Sequence, residues 1–286
     1  MNKPSDFSHN PKISLTIALL ICATVLLQMG YNVLHQIKDV PFDSDITPLM
    51  MSTIRDALFN HEIFINAFIA YSLIILSYQT IKQFFLYRSW GKFVSSNELP
   101  DLSIYYTEKN VDLNCKVKVV SDSRKIAVTS GLFKPYIVLS TGLINHFNEE
   151  KLNAIILHES FHCLRRHPLH NVMLCISSKS LIYVPIVKEL VQYYQIWMEL
   201  NADRFAIAKM GSESPLGHVL LDLIKNQTVR TPAYGVHFSH TAINYRIQQL
   251  MDPERQLQVM VFRKKALYAS LIVPVLMGII IIMECI

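Results

Sequence analysis

Two histidines four residues apart with a glutamate after the first, His158-Glu159-Ser160-Phe161-His162, are the residues in this chain best suited to chemistry. On a helix, positions i and i+4 share one face, so both imidazoles project together and can hold one metal ion. Glu159 is offset by one position, where it reaches a water at the open coordination site without filling that site. This is the H-E-x-x-H arrangement of zinc hydrolases, in which the metal polarises a carbonyl and activates water while the glutamate moves protons. A catalytic zinc wants a third protein ligand. Glu199 in Glu199-Leu-Asn-Ala-Asp203 is the best candidate, and Asp203, one turn further on, is placed to accept a hydrogen bond from a ligand histidine. His167 and His170 compete as ligands, but Pro168 perturbs the helix beside them. For the donor facing the transition-state oxyanion, Tyr234, His237, His240 and Arg246 all remain candidates.

These residues need helices to carry them. Asn148 can cap a helix whose first turn holds Glu149 and Glu150, favourable at the positive end of the helix dipole. Leu152, Ile155, Ile156 and Leu157 would bury it. After Gly142 the pattern stays helical to about Met251, with breaks near Pro168, Pro185, Gly211–Pro215 and Pro232–Gly235. Upstream, Val117–Val128 alternates and is rich in β-branched residues, and Tyr136–Leu139 repeats the pattern, so both read as strands of a small sheet. The second strand would offer an edge to an extended substrate. The fold class is therefore α+β, mainly helical with a small sheet.

Apolar residues make up 51% of the 286 and charged residues 17%, which excludes a disordered chain and directs attention to the membrane. Three stretches are long enough to cross a bilayer, Ile13 to about Leu34, Ile63 to about Ile81, and Ala266 to Ile286. The net charge of +5 reads as a topology signal, not a nucleic-acid footprint, because no dense basic stripe accompanies aromatic residues. Lys3 and Lys12 precede the first span, Lys82, Arg88 and Lys92 follow the second, and Arg263, Lys264 and Lys265 precede the third. Positive-inside logic then puts the N-terminus and residues 89–265 in the cytoplasm and the C-terminus outside. Three parts follow: a membrane region 1–88 with an extracytoplasmic loop, a cytoplasmic domain 89–265, and a last span 266–286. The apolar stretch Val172–Val187 poses a constraint, because a single crossing there would separate His162 from Glu199. Interrupted by Lys179 and Pro185, it reads as a core or membrane-surface helix. Cys22, Cys115, Cys163, Cys175 and Cys285 are odd in number and form no CxxC pair, so buried reduced thiols are expected, with Cys163 serving packing alone.

The run Ser130-Gly-Leu-Phe-Lys-Pro135-Tyr-Ile-Val-Leu-Ser140, followed by HExxH and Glu-x-x-x-Asp, resembles the BlaR/MecR-type integral-membrane antirepressor metallopeptidases over about residues 90–250. The resemblance implies a gluzincin-like zinc domain at the cytoplasmic side, held between transmembrane helices of a bacterial cytoplasmic membrane. It also implies one Zn2+ per chain bound by His158, His162 and Glu199, with Glu159 as base. His240-Thr-Ala-Ile-Asn-Tyr-Arg246-Ile is similar to a signature of HtpX-type membrane proteases, with Thr241 in place of proline. Where the family has an acidic residue after the second histidine, this chain has Arg165-Arg166-His167. The chain ends at Ile286, so the C-terminal sensor domain of antibiotic-sensing members is not expected, and it also has fewer spans than they do.

The expected function is a membrane-embedded zinc endopeptidase cutting a protein or peptide, such as a transcriptional repressor in regulatory signalling. The alternatives are a non-catalytic membrane binding protein that keeps the metal fold and an HtpX-like quality-control protease. The intact Glu159 weighs against the non-catalytic reading. Expected partners are the substrate and the lipid bilayer, with no nucleic acid; a homo-oligomer is compatible with the sequence.

Overall fold

In a computed structural model of the chain, residues 11–39, 61–226, 240–252 and 257–284 are described. Two long helices come first, α1 (Pro11–Asp39) and α2 (His61–Asn97). Among the described residues, Pro11–Tyr31 is the one helix long and apolar enough to cross a membrane, with a mean hydropathy of 2.1. The second stretch expected to span lies in α2, which continues past Ile81 to Asn97 because no proline interrupts it before Pro100. Most of the expected extracytoplasmic loop, residues 40–60, lies outside the described residues.

A short helix α3 (Pro100–Lys109) leads into three strands, β1 (Lys116–Val120), β2 (Ala127–Ser130) and β3 (Tyr136–Ser140). The alternating run Val117–Val128 is thus two strands rather than one. Asp122 breaks it by accepting a hydrogen bond from the Arg124 N–H at 2.8 Å, an Asx-type turn. The strand order is β1-β3-β2, with β1 parallel and β2 antiparallel to β3. Tyr136–Leu139 is therefore the central strand and has no free edge; β2 occupies the edge beside the helix that carries the histidines. Gly131 makes the β2–β3 turn possible: its φ is 92°, and a Cβ there would stand 2.5 Å from the Lys134 carbonyl oxygen.

After the one-and-a-half-turn α4 (Thr141–His146) comes α5 (Glu149–Leu164), the HExxH helix. Asn148 caps it as its sequence predicts, accepting from the Lys151 N–H at 3.1 Å. One face of α5 buries Leu152, Ile155 and Ile156 against Val117, Val119, Ile137 and Leu139 of the sheet. The other buries Ala154 and Leu157 against Ala206 and Leu216. Next come α6 (His167–Ser180), α7 (Pro185–Met210), α8 (Ser214–Asn226), α9 (His240–Met251) and α10 (Lys264–Glu284). The helix breaks at 165–166, 181–184 and 211–213 fall at or near the predicted positions; the one at Pro232–Gly235 lies outside the described residues.

The apolar stretch 172–187 folds into a hairpin of α6 and α7, so the chain returns and His162 and Glu199 meet. Leu174, Leu181, Val184, Val187 and Val191 of this hairpin pack against Leu15, Ala18, Cys22, Val25 and Met29 of α1. The first N–H groups of α7 lack a side-chain cap of their own, and Ser270 Oγ of α10 accepts from Ile186 N–H at 2.9 Å instead. In α10 lies the third stretch expected to span.

The cysteines correct one expectation. Cys115, just before β1, is disulfide-bonded to Cys163 on α5, across 48 residues of sequence, while Cys22 and Cys175 are free and buried. The pattern of spacings hides this bond because only the packing of α5 on the sheet brings the two together. Cross-linking a loop of that length removes unfolded-chain entropy equivalent to about 4 kcal/mol. Cys163→Ser is therefore expected to lower thermal stability by several degrees in detergent, and reductant should lower the melting temperature of the wild type but not of the variant.

Candidate metal centre

Three buried side chains converge between α5 and α7. His158 and His162, i and i+4 on α5, turn their Nε2 atoms toward each other at 3.1 Å. Glu199 of α7 sets Oε2 3.5 Å from His158 Nε2 and Oε1 3.7 Å from His162 Nε2. All three residues are less than a tenth exposed. Two imidazole nitrogens and a carboxylate facing one another out of water need a positive charge among them, either a proton or a cation. Ligand atoms placed about 2.0–2.2 Å from a tetrahedral zinc stand about 3.3–3.5 Å apart, close to the separations here. The donor set and its spacing fit a divalent metal.

Behind these three side chains stands a second layer of charge. Asp203, one turn along α7 from Glu199 and fully buried, brings Oδ1 to 2.9 Å from His158 Nδ1, the partner its spacing suggested. Arg246 of α9, 5% exposed, clamps Asp203 through Nε–Oδ2 at 2.7 Å and Nη2–Oδ1 at 2.8 Å. Its third arm, Nη1, donates to Glu199 Oε2 at 3.2 Å. Arg246, one of the four oxyanion-donor candidates, thus spends its donors on the ligand side of the site. Gln249 on the same helix donates to the Leu200 carbonyl at 3.0 Å and helps dock α9 on α7. His240 begins α9, while Tyr234 and His237 lie outside the described residues.

Two further contacts have no signature in the sequence. Thr129 of β2 donates toward Glu159, with Oγ1 2.8 Å from Oε2 and 2.7 Å from the backbone carbonyl. His167, the first residue of α6, sets Nδ1 2.6 Å from His162 Nδ1. His167, in the stretch where this chain departs from the acidic residue of the family it resembles, therefore backs His162 on the side away from Glu199. His170 is not in the ligand cluster; its Nδ1 lies 2.7 Å from the Tyr194 hydroxyl.

The charges in this cluster set one another. Burial works against a charged His158, but Asp203 and Glu199 outweigh it and lift its pKa to about 9. Burial also opposes ionisation of Glu199 and Asp203, yet His158 and Arg246 hold both below the usual carboxylate range. His162 is pushed down, chiefly by burial, and stays neutral.

The chain belongs to the BlaR1 peptidase M56 family, whose sequence profile matches residues 38–250. It is also similar to Regulatory protein BlaR1 of Bacillus licheniformis, 32% identical over 119 residues, which are 41% of this chain and 19% of that protein. The chain thus spans about a fifth of that relative's length. The family is one of peptidases by description, and the His-His-Glu cluster is in keeping with a metal site.

Two outcomes follow from the charge layout. Without metal, the raised His158 pKa stabilises the fold fully below its unfolded value of about 6.5, and that contribution is lost as pH rises through about 9. The depressed carboxylates act oppositely, their contribution present above about pH 4 and lost as pH falls. A metal must displace the His158 proton, so calorimetry in buffers of different ionisation enthalpy should show close to one proton released per metal at pH 7, falling toward none above pH 9. Asp203→Asn, which keeps the shape and removes the charge, is expected to weaken metal affinity about 10- to 100-fold in a chelator competition.

Proposed function

We propose that this protein is a membrane-embedded zinc endopeptidase acting on a protein or peptide at the cytoplasmic side of a bacterial membrane. One observation carries the reading: a buried His-His-Glu trio at zinc-ligand spacing with an acid, Glu159, on the ligand helix beside it. In this reading His158, His162 and Glu199 hold the ion, and Asp203, with Arg246 behind it, fixes the orientation of His158. The N-terminus and residues 89–265 face the cytoplasm, with residues 13–34, 63–81 and 266–286 as spans.

A divalent cation held there supplies Lewis-acid polarisation of the scissile carbonyl and lowers the pKa of a water. The protein's own part is positioning and proton transfer. Glu159 takes the proton from the attacking water and later delivers it to the departing amine nitrogen. Thr129 holds the Glu159 carboxylate by one oxygen, leaving the other for the water. Strand β2 lies beside α5, so an extended substrate added to its outer edge would pass the site as a fourth strand. Neutral His162 and ionised Glu199 are ready to accept a dication, which His158 joins by giving up its proton.

Regulatory proteolysis is the favoured biological role, because the similar stretch in the relative belongs to a regulatory protein. A transcriptional repressor is then the substrate class to test first. Glu159→Gln is expected to keep full metal content and lose cleavage of a susceptible protein by at least about 100-fold, in a lysate digest analysed by terminal-peptide mass spectrometry. Equal cleavage by both proteins would remove the enzymatic reading.

A further inference from the structure

The His162 ring has two sides. Nε2 faces the ligand cluster and Nδ1 faces His167, so whatever His167 lines lies opposite the metal centre. There the protein has a cavity of about 490 Å3. Lys12, Arg165 and Arg204 bring three permanent positive charges to its lining, and no carboxylate contributes to it. Among the described residues neither arginine pairs with an acid. Arg165 lies over the Phe161 ring at 5.5 Å and Arg204 over Trp197 at 5.4 Å, which fixes their positions without cancelling their charge. Inside, His167 and Tyr194 are buried, and the Tyr194 hydroxyl meets His170. The α6 helix also begins at His167 with no side-chain cap, so its positive end adds to the same field.

The place of the cavity in the fold decides the ligand. Pro11 and Lys12 are the first residues of α1, the helix apolar enough to span, so the cavity lies where that span meets the headgroup layer. From Lys12 an exposed face runs down α1 through Thr16, Leu20, Ala23 and Leu27, with Leu20 60% and Leu27 74% exposed. Apolar below and cationic at the rim, this surface has the two halves of an acidic lipid.

We infer that the cavity binds the phosphate of an anionic phospholipid through Lys12, Arg165 and Arg204, with the acyl chains along the exposed face of α1. The inference rests on the membrane-embedded reading above, and the lipid is bound on the reverse side of His162 from the substrate.

The full chain in neutral detergent would be titrated with short-chain phosphatidylglycerol, short-chain phosphatidylcholine and inorganic phosphate, with binding read by native mass spectrometry and by melting temperature. One phosphatidylglycerol per chain is expected, with little binding of phosphatidylcholine, and the Arg165→Gln/Arg204→Gln double variant should bind about 30-fold more weakly. Equal binding of the two lipids, or unchanged affinity in the variant, would overturn the inference. Inorganic phosphate matching phosphatidylglycerol in affinity would also overturn it, identifying a site for the free anion. Metal content and Glu159-dependent cleavage, measured on the same preparations, separate this outcome from the peptidase reading. Flotation with phosphatidylcholine vesicles separately tests membrane embedding, since a chain that stays in the soluble fraction sinks that reading without reference to lipid charge.

Discussion

The ion pair between Asp203 and Arg246 is the constraint on which the site depends. Both groups are withdrawn from water, and a charge so placed costs several kcal/mol unless its partner's geometry is good. The geometry is good, with two parallel N–H···O bonds from one guanidinium to one carboxylate and a third bond to Glu199. Because this pair fixes Asp203, it also fixes what Asp203 touches, the Nδ1 side of His158. The imidazole that turns its other nitrogen into the His-His-Glu cluster is thus held from behind by charge rather than by packing alone.

Two layers deliver the two halves of the centre. Helices α7 and α9 supply Glu199, Asp203 and Arg246 and bury Tyr193, Trp197, Leu200 and Ala242 in a shared core. The sheet supplies Thr129, which meets Glu159 from the other side of α5. Helix α5 lies between them, its sheet face apolar and its α7 face carrying the histidines. The Cys115–Cys163 bond fastens this helix to the start of β1 one residue beyond His162, so the helix and the sheet are joined covalently beside a candidate ligand.

What the sequence disclosed depended on periodicity. His158, His162, Glu199 and Asp203 were legible because i and i+4 on a helix share a face, a relation that needs no tertiary information. The same regularity located α5 and its Asn148 cap, and the prolines and glycines marked the neighbouring helix ends. Thr129 escaped, and His167, read only as a competing ligand, escaped as the neighbour of His162, because each meets its partner across elements, by a sheet edge and a helix start that no spacing encodes. The disulfide was hidden for the same reason. Strand order was misjudged because alternation in Tyr136–Leu139 shows that a strand is half buried, not which neighbours flank it. The turn at Asp122 lay inside a run whose β-branched residues masked the break.

Arg246 follows Asp203 by 43 residues, so there is an interval in the life of every chain when the acid has been made and its counter-ion has not. At synthesis speeds of roughly 5–20 residues per second, that interval lasts about 2–9 s. During it His158, His162 and Glu199 exist, but Arg246 is not there to hold Asp203 against His158 or to draw Glu199 into line. The cluster is therefore complete only once α9 has been made, and a ribosome that stalls before α9 releases a fragment with the candidate ligands and no framework to aim them.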